Sequence, residues 1–518
     1  MSERSKSSRY ILLPSRGVQA AAGNASPMAT DFLAGLHVRK RAARKRVKRG
    51  AVAIRVVDSV RETGAKLVEM RRTDVVKLHA AQPGLRIVPE VFYFPALAPR
   101  PFPVAAPRRV AKRTGKAKTA KTTKKRATPR RHPKAPSGTI IVTIVSKSSS
   151  APIKGCMVVA FTDFEKRLGA SGTTNAKGEA ALKLGASSTK IERLYVYSPK
   201  GFWNALKKKF TLSSATTIEL TPIDLAYTDA LRYFCGNAPL DAGRNITVGV
   251  IDTGVAPEPD LEIAGGFNAV TGESADDFGD NGEGHGTHVA GIVAARGTPP
   301  NGIRGVAPGV TLRSYRVFGK GKPGASNFDI LKALDRAVTD GCDIVNMSLG
   351  SQGDVDAATH DAISNARAHG TLVFAASGND DRIAVGAPAR DPMALAVTAL
   401  GRKGTYPSGS VEAGDVMGPF GTDKKNYVTS FSNVGPEVDL TAPGDGIIST
   451  FPQGYAVLDG TSMACPAAAG MAARLLAGQT AILKMPRTQA RSDAMAKFLL
   501  QKAKSLGFPA DLQGQGML

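Results

Sequence analysis

Three residues of this chain have the types and the order of an acid, a base and a nucleophile. Asp252 ends the apolar run "NITVGVID", His285 opens "HGTHVAGIVAA", and Ser462 stands at the head of "GTSMACPAAAG". A serine hydroxyl is a weak nucleophile near neutral pH unless an adjacent imidazole takes its proton, and the imidazole needs a carboxylate to fix its tautomer. Cys465, three positions after Ser462, is the competing nucleophile. A cysteine without a basic partner behaves as a small, inert hydrophobe. Taken singly these residues are ordinary, since an Asp after a strand is usually a turn residue and a Ser at a helix start is usually a cap. The conjunction carries the chemistry. His288, nearly a full turn beyond His285, reads as a structural, hydrogen-bonded histidine.

Each of the three needs an element to hold it. The run ending at Asp252 is a buried-strand pattern, and the ends of strands are where α/β folds collect site residues. Val289, Ile292 and Val293 share one apolar face of the helix that His285 opens. The run at 460 opens a second helix, with Pro466 tolerated in its first turn.

The motifs share a mildly acidic half of a basic chain. Of the net +26 over 518 residues, residues 1–225 carry about +32 and residues 226–518 about −6. Residues 1–50 are basic, end in "VRKRAARKRVKRG" and read as disordered. Residues 51–98 alternate strand-like and helical runs and read as a small α/β module. The Pro/Lys/Arg-rich stretch 99–138 reads as an extended linker. Residues 139–223 hold short β-rich runs, among them "TIIVTIV", "CMVVAFTD" and "LYVYSP", and read as a β-sandwich. Residues 224–518 hold all three motifs and read as one larger domain. No apolar run reaches the roughly 18 residues of a membrane span, and "YILL" is too short for the roughly 7 to 15 apolar residues of an ordinary signal peptide. The four cysteines lie far apart, without C-x-x-C pairs, and read as reduced thiols.

In sequence order, "VIDTGV", "GHGTHVAGIVAA", "GVAPGVTLRSYRVFG", "DIVNMSLGS", "AASGND", "FSNVGPEVDLTAPGDGI" and "GTSMACPAAAG" resemble the motifs of the subtilisin-like serine peptidases, the subtilases. The resemblance covers roughly residues 226–518. It implies an α/β fold with a parallel-sheet catalytic domain, and a triad in which Asp252 orients His285 and His285 deprotonates Ser462. It also implies an oxyanion hole from Asn379 and the Ser462 backbone N–H. Ser348, Leu349 and Gly350, with Ala376, Ser377 and Gly378, match segments that line the family's cleft, where an extended peptide pairs as an added strand. Small residues there, with Gly386 nearby, imply a roomy apolar primary pocket, and Asp380 at its rim could admit basic side chains. Ala467 and Ala468 replace the family's His and Val, which bears on helix packing.

Many subtilases bind structural calcium. The matching loop here, "RGTPPNGIRG", offers no carboxylate and two arginines, poor ligands for a hard cation. "DDFGDNGEG" at 276–284 has carboxylates but reads equally well as a solvated loop. No metal and no other cofactor is expected. The stretch from about Lys403 to Tyr427 reads as a surface insertion.

Residues 51–98 resemble the family's inhibitory propeptide, and the unit at 139–223 resembles carboxypeptidase-regulatory-like sandwiches. The resemblance therefore implies a monomeric endopeptidase of protein and peptide substrates, made as a self-processed precursor whose propeptide is its own inhibitor. Family precedent favours secretion, while the N-terminus leaves the compartment open. The alternative is an inactive subtilase fold that binds nucleic acid or other polyanions through its basic segments. Those segments have almost no aromatics to stack on bases, so at most weak polyanion binding by the linker is expected.

Overall fold

The computed structural model describes residues 7–14, 27–36, 52–98, 100–103, 138–186 and 188–518. The basic run at 38–49 and residues 104–137 of the expected linker lie outside the described residues. The chain divides into two compact units, one of residues 1–99, 223–407 and 414–518, the other of residues 100–222 and 408–413.

The larger unit is built on an eight-stranded sheet. Thr247–Asp252 lies inside it, parallel to Thr311–Arg316 on one side and to Ile344–Met347 on the other. Leu372–Ala376, Ala394–Arg402 and Val438–Pro443 extend it in parallel, and Asn426–Val428 adds an antiparallel strand. Near-continuous apolar runs suit strands covered on both faces. Val250 joins a cluster with the helices His285–Ala294 and Thr461–Ala477, while Ile251 joins a second cluster with Asn327–Thr339 and Ala357–Ala368. The two-residue period of a strand divides neighbours in this way. This is the α/β parallel-sheet architecture expected for the catalytic domain.

The Thr461–Ala477 helix is made largely of small side chains, and close approach depends on them. A Cβ at Gly470 would lie 2.7 Å from Val306 Cβ, and Ala467 and Ala468 are both buried. Pro466 is the sixth residue of this helix, beyond the first turn where it was expected to be tolerated. Having no N–H, it cannot donate to the Ser462 carbonyl. That carbonyl instead accepts from Ser348 Oγ at 2.8 Å, so the defect becomes a tie between two cleft segments.

Ser7–Pro14 (β1), Arg55–Ser59 (β2), Lys66–Arg71 (β3) and Leu85–Pro89 (β4) form an antiparallel sheet in the order β2-β3-β1-β4. This corrects the expectation of a disordered residue 1–50 region and a module beginning at 51, because β1 lies between β3 and β4. The helix Pro27–Ala34 adds Ala29 and Leu33 to the module's own apolar cluster. "YILL" is short, yet it serves both faces: Leu12 enters that cluster, while Ile11 and Leu13 join the cluster of the Asn327–Thr339 and Ala357–Ala368 helices. Lys332–Asp58 at 2.6 Å, Arg61–Asp335 at 3.1 Å and Arg86–Asp361 fringe this contact. Such partly exposed pairs add little stability beside the apolar burial. The chain then continues as β5, Phe92–Pro95, which pairs antiparallel with Ala325–Ser326 and with Leu349–Gly350.

Among its described residues the smaller unit has seven strands in two sheets, one of four strands and one of three. Ile140, Val142 and Ile144 from one sheet and Val158, Ala160 and Leu194 from the other share one core. Two of its strands, Leu168–Thr173 and Ala205–Ser213, are not foreseen from "LGASGT" and "ALKKKFTLS", which lack apolar alternation. Ser408–Ala413, from within the expected insertion, belongs to this unit, where Leu206 N donates to Gly409 O at 2.7 Å. All four cysteines are free. Among the described residues no helix is long and apolar enough to cross a membrane.

Candidate active site

Asp252 ends its strand in the sheet interior, and His285 begins its helix immediately after Gly284, which takes a left-handed φ of 78°. His285 Nδ1 lies 2.7 Å from Asp252 Oδ1, with Asp252 fully buried and His285 2% exposed. With Asp252 as a carboxylate, which can only accept, Nδ1 carries the proton and Nε2 keeps its lone pair. Nε2 is buried and has no hydrogen-bond partner. Thr253 reinforces the corner, its N–H donating to Asp252 Oδ1 at 2.7 Å and its Oγ1 accepting from Gly286 N at 2.8 Å.

Ser462 is the second residue of its helix and is fully buried. Its hydroxyl donates to the Ser348 carbonyl at 2.9 Å, not to His285. The hydrogen bond expected between nucleophile and base is therefore not formed in this state. Cys465 faces the core, its Sγ 3.9 Å from Met347 O, and burial pushes its thiol pKa up. His288 Nε2 lies 3.1 Å from Ile447 O and 3.2 Å from Ala456 O. Burial, and then the neighbouring His285, pull its pKa down to about 3, so it stays neutral and braces the antiparallel pair Ile447–Phe451 and Gly454–Leu458.

The strand β5 and the residues after it run through the groove beside Ser462. Ala96 N donates to Ser348 O at 3.2 Å, and Ser462 N donates to the Ala96 carbonyl at 3.1 Å. Past that carbonyl, Ala98 N donates to Asp459 O at 2.9 Å. Close passage requires Gly460, whose φ is 149° and where a Cβ would fall 2.6 Å from the Ala96 oxygen. Asn379 Oδ1 accepts from Thr461 N at 2.8 Å, which aims the side chain, and its buried Nδ2 has no partner.

The groove, about 460 Å³, is lined by Ala96, Gly350, Gly378, Asn379, Asp380 and Gly386 among others. Leu349 and Gly350 contribute an edge to β5. Ala376 and Ser377 do not line the groove. They are buried behind it, the Ser377 hydroxyl donating to Asn433 O at 2.9 Å. Both oxygens of Asp380 are taken, by Gln352 Nε2 and Asn433 Nδ2, each at 2.9 Å. Asn433 is absent from the sequence reading, because "FSNVGP" marks it as part of a motif without naming its contact.

A profile of the Subtilase family matches residues 243–517. The chain belongs to the subtilase family. By that membership it is a serine-type endopeptidase. It is 36% identical over 277 residues to subtilisin BL of Lederbergia lenta, an alignment that covers 53% of this chain and 89% of that protein. It is 37% identical over 240 residues to subtilisin DY of Bacillus licheniformis, covering 45% and 77%. It is also 38% identical over 234 residues to the minor extracellular protease Epr of Bacillus subtilis (strain 168), where the alignment covers 45% of this chain and only 32% of that protein.

The loop 296–305 of this subtilase is poorly suited to a hard cation. Arg304 donates through Nε to Gly297 O at 2.8 Å, through one terminal nitrogen to Ala238 O at 2.8 Å, and through the other to Thr298 Oγ1 at 2.9 Å. A guanidinium thus takes oxygens that a cation would need. In the acidic run at 276–284, Asp280 accepts from Gly282 N and Gly284 N, and Asp277 pairs with Lys320 at 3.0 Å. Among the described residues no group of three or more His, Cys, Asp or Glu could hold a metal ion. We expect a chelator to leave the melting temperature of the larger unit unchanged, and Arg304→Ala to cost about 1.5–3 kcal/mol through the lost carbonyl contacts. Thermal melts of both proteins with and without chelator check this. A chelator-induced drop in the parent protein would count against it.

Proposed function

We propose that Ser462, His285 and Asp252 are the triad of this endopeptidase, and that the N-terminal module is a propeptide which inhibits the cleft it passes through. The observation that carries this reading is the Ala96 carbonyl held on the Ser462 N–H, just past the strand β5, which pairs with the groove as a substrate would. The first bond cut is Ala96–Leu97. For that step the Ser462 hydroxyl turns from Ser348 O to His285 Nε2, gives up its proton and attacks the Ala96 carbonyl carbon. The negative oxygen that forms is met by the Ser462 N–H and by Asn379 Nδ2, a donor otherwise unused. His285 returns the proton to the Leu97 nitrogen, which leaves, and water hydrolyses the Ala96 ester by the same proton transfers in reverse order. Asp252 holds the imidazole in the required tautomer throughout.

Other protein substrates are bound in the same extended form, their backbones pairing between the edges that hold β5. A serine-directed organophosphorus reagent tests the assignment directly. We expect a single adduct at Ser462, located by peptide mass mapping. An adduct at Cys465, or none on a chain that hydrolyses peptides, would remove Ser462 from its role.

A further inference from the structure

The strand in the groove carries three aromatic residues in a row and treats them differently. Phe92 and Phe94 are 48% and 49% exposed, whereas Tyr93 is 1% exposed. Strand alternation accounts for the pattern: Phe92 pairs with Ser326, Tyr93 with Ala325 and Phe94 with Gly350, so only Tyr93 points into the protein. Its ring joins the apolar cluster that includes Ala325, Phe328, Leu349 and Ala358. At the bottom of that pocket its hydroxyl donates to Asp356 Oδ2 at 2.7 Å.

Asp356 is also held by contacts that do not involve the strand. It caps the Ala357–Ala368 helix, Oδ1 accepting from Ala358 N at 3.0 Å and Thr359 N at 3.1 Å. Oδ1 also accepts from Asn327 Nδ2 at 2.9 Å, and Oδ2 accepts from Thr359 Oγ1 at 2.7 Å. Each carboxylate oxygen offers two lone pairs: Oδ1 already holds three donors, whereas Oδ2 holds Thr359 Oγ1 alone and has room for the Tyr93 hydroxyl. Burial and the Asp356 charge both push the Tyr93 phenol pKa up, so the hydroxyl remains a donor at any working pH.

We propose that Asp356 selects tyrosine at the fourth residue before the cleaved bond, so that preferred substrates are extended segments with Tyr at that place. The inference rests on Ala96–Leu97 being the bond presented for cleavage. Phenylalanine fills the same apolar walls but leaves the half-buried Asp356 carboxylate one donor short, and a site built for a hydroxyl rejects the analogue that lacks it. The residue was not legible in sequence, because its contact with Tyr93 joins positions 263 residues apart.

The test uses the self-processed full chain and peptides that differ only at the fourth position before the cut. We expect kcat/KM for Tyr to exceed that for Phe by roughly 10- to 100-fold. In Asp356→Ser, which keeps a capping oxygen but is too short to reach the phenol, the ratio should fall to about one. Because the ratio is taken within one preparation, partial misfolding cancels. Equal rates for Tyr and Phe in the parent protein, a preference for Lys over Tyr, or an unchanged ratio in Asp356→Ser would each overturn the proposal. A second arm needs no catalysis. In the uncut Ser462→Ala chain, adding Tyr93→Phe should speed amide exchange of Ala96 and Ala98 by roughly 10- to 100-fold, and unchanged exchange would also overturn it. Hydrolysis of no peptide at all would sink the peptidase assignment instead, leaving the exchange result to decide on Asp356.

Discussion

Ser462→Ala is expected to leave the chain uncut and test peptides unhydrolysed, with kcat lower by about 10⁴- to 10⁶-fold. The parent chain should appear with a new N-terminus at Leu97. Both sides of that bond are already held, Ala96 by Ser348 and Ser462, and Ala98 by Asp459. Only the hydroxyl has to turn. Because the bond is tethered beside the nucleophile, its cleavage rate should not depend on protein concentration. Cys465→Ala should keep most of the activity, since that thiol lies among core residues with its pKa raised and no base beside it. N-terminal sequencing of parent and variants made side by side decides the matter. Identical trimming of parent and Ser462→Ala would mean that another protease removes the front of the chain.

The parallel sheet was legible because its strands are covered on both faces and therefore write themselves as apolar runs such as "TVGVID". Asp252, His285 and Ser462 stood out because each closes or opens such a run, so local sequence marks the place. What each touches was not legible. Nothing in "GTSMACPAAAG" says that the carbonyl orphaned by Pro466 is collected by Ser348, since the partner lies 114 residues away and owes its position to another strand. β1 escaped notice for a related reason. Four apolar residues in a polar stretch cannot announce a strand, and this one is stabilised by partners on both edges and both faces. Ala376 and Ser377 lie in a stretch that matches the cleft, yet alternation and the turn at Gly378, with φ 109°, put them behind its wall.

Asn379→Leu is expected to lower kcat by about 10²- to 10³-fold with little change in KM, because the donor it removes acts on an oxygen that becomes charged only in the transition state. Nδ2 is the free donor in question, buried and unpartnered. The other end of the side chain raises a rival explanation, since Oδ1 accepts the Thr461 N–H at 2.8 Å, one residue from Ser462. Loss of that bond could disturb the helix start instead. Asn379→Asp separates the two, because it keeps an acceptor for Thr461 but replaces the donor with negative charge. If the donor matters, Asp should lose at least as much kcat as Leu. If Asp restores activity lost in Leu, Asn379 only positions Ser462, and stabilisation of the oxyanion falls to the Ser462 N–H and whatever the substrate itself supplies.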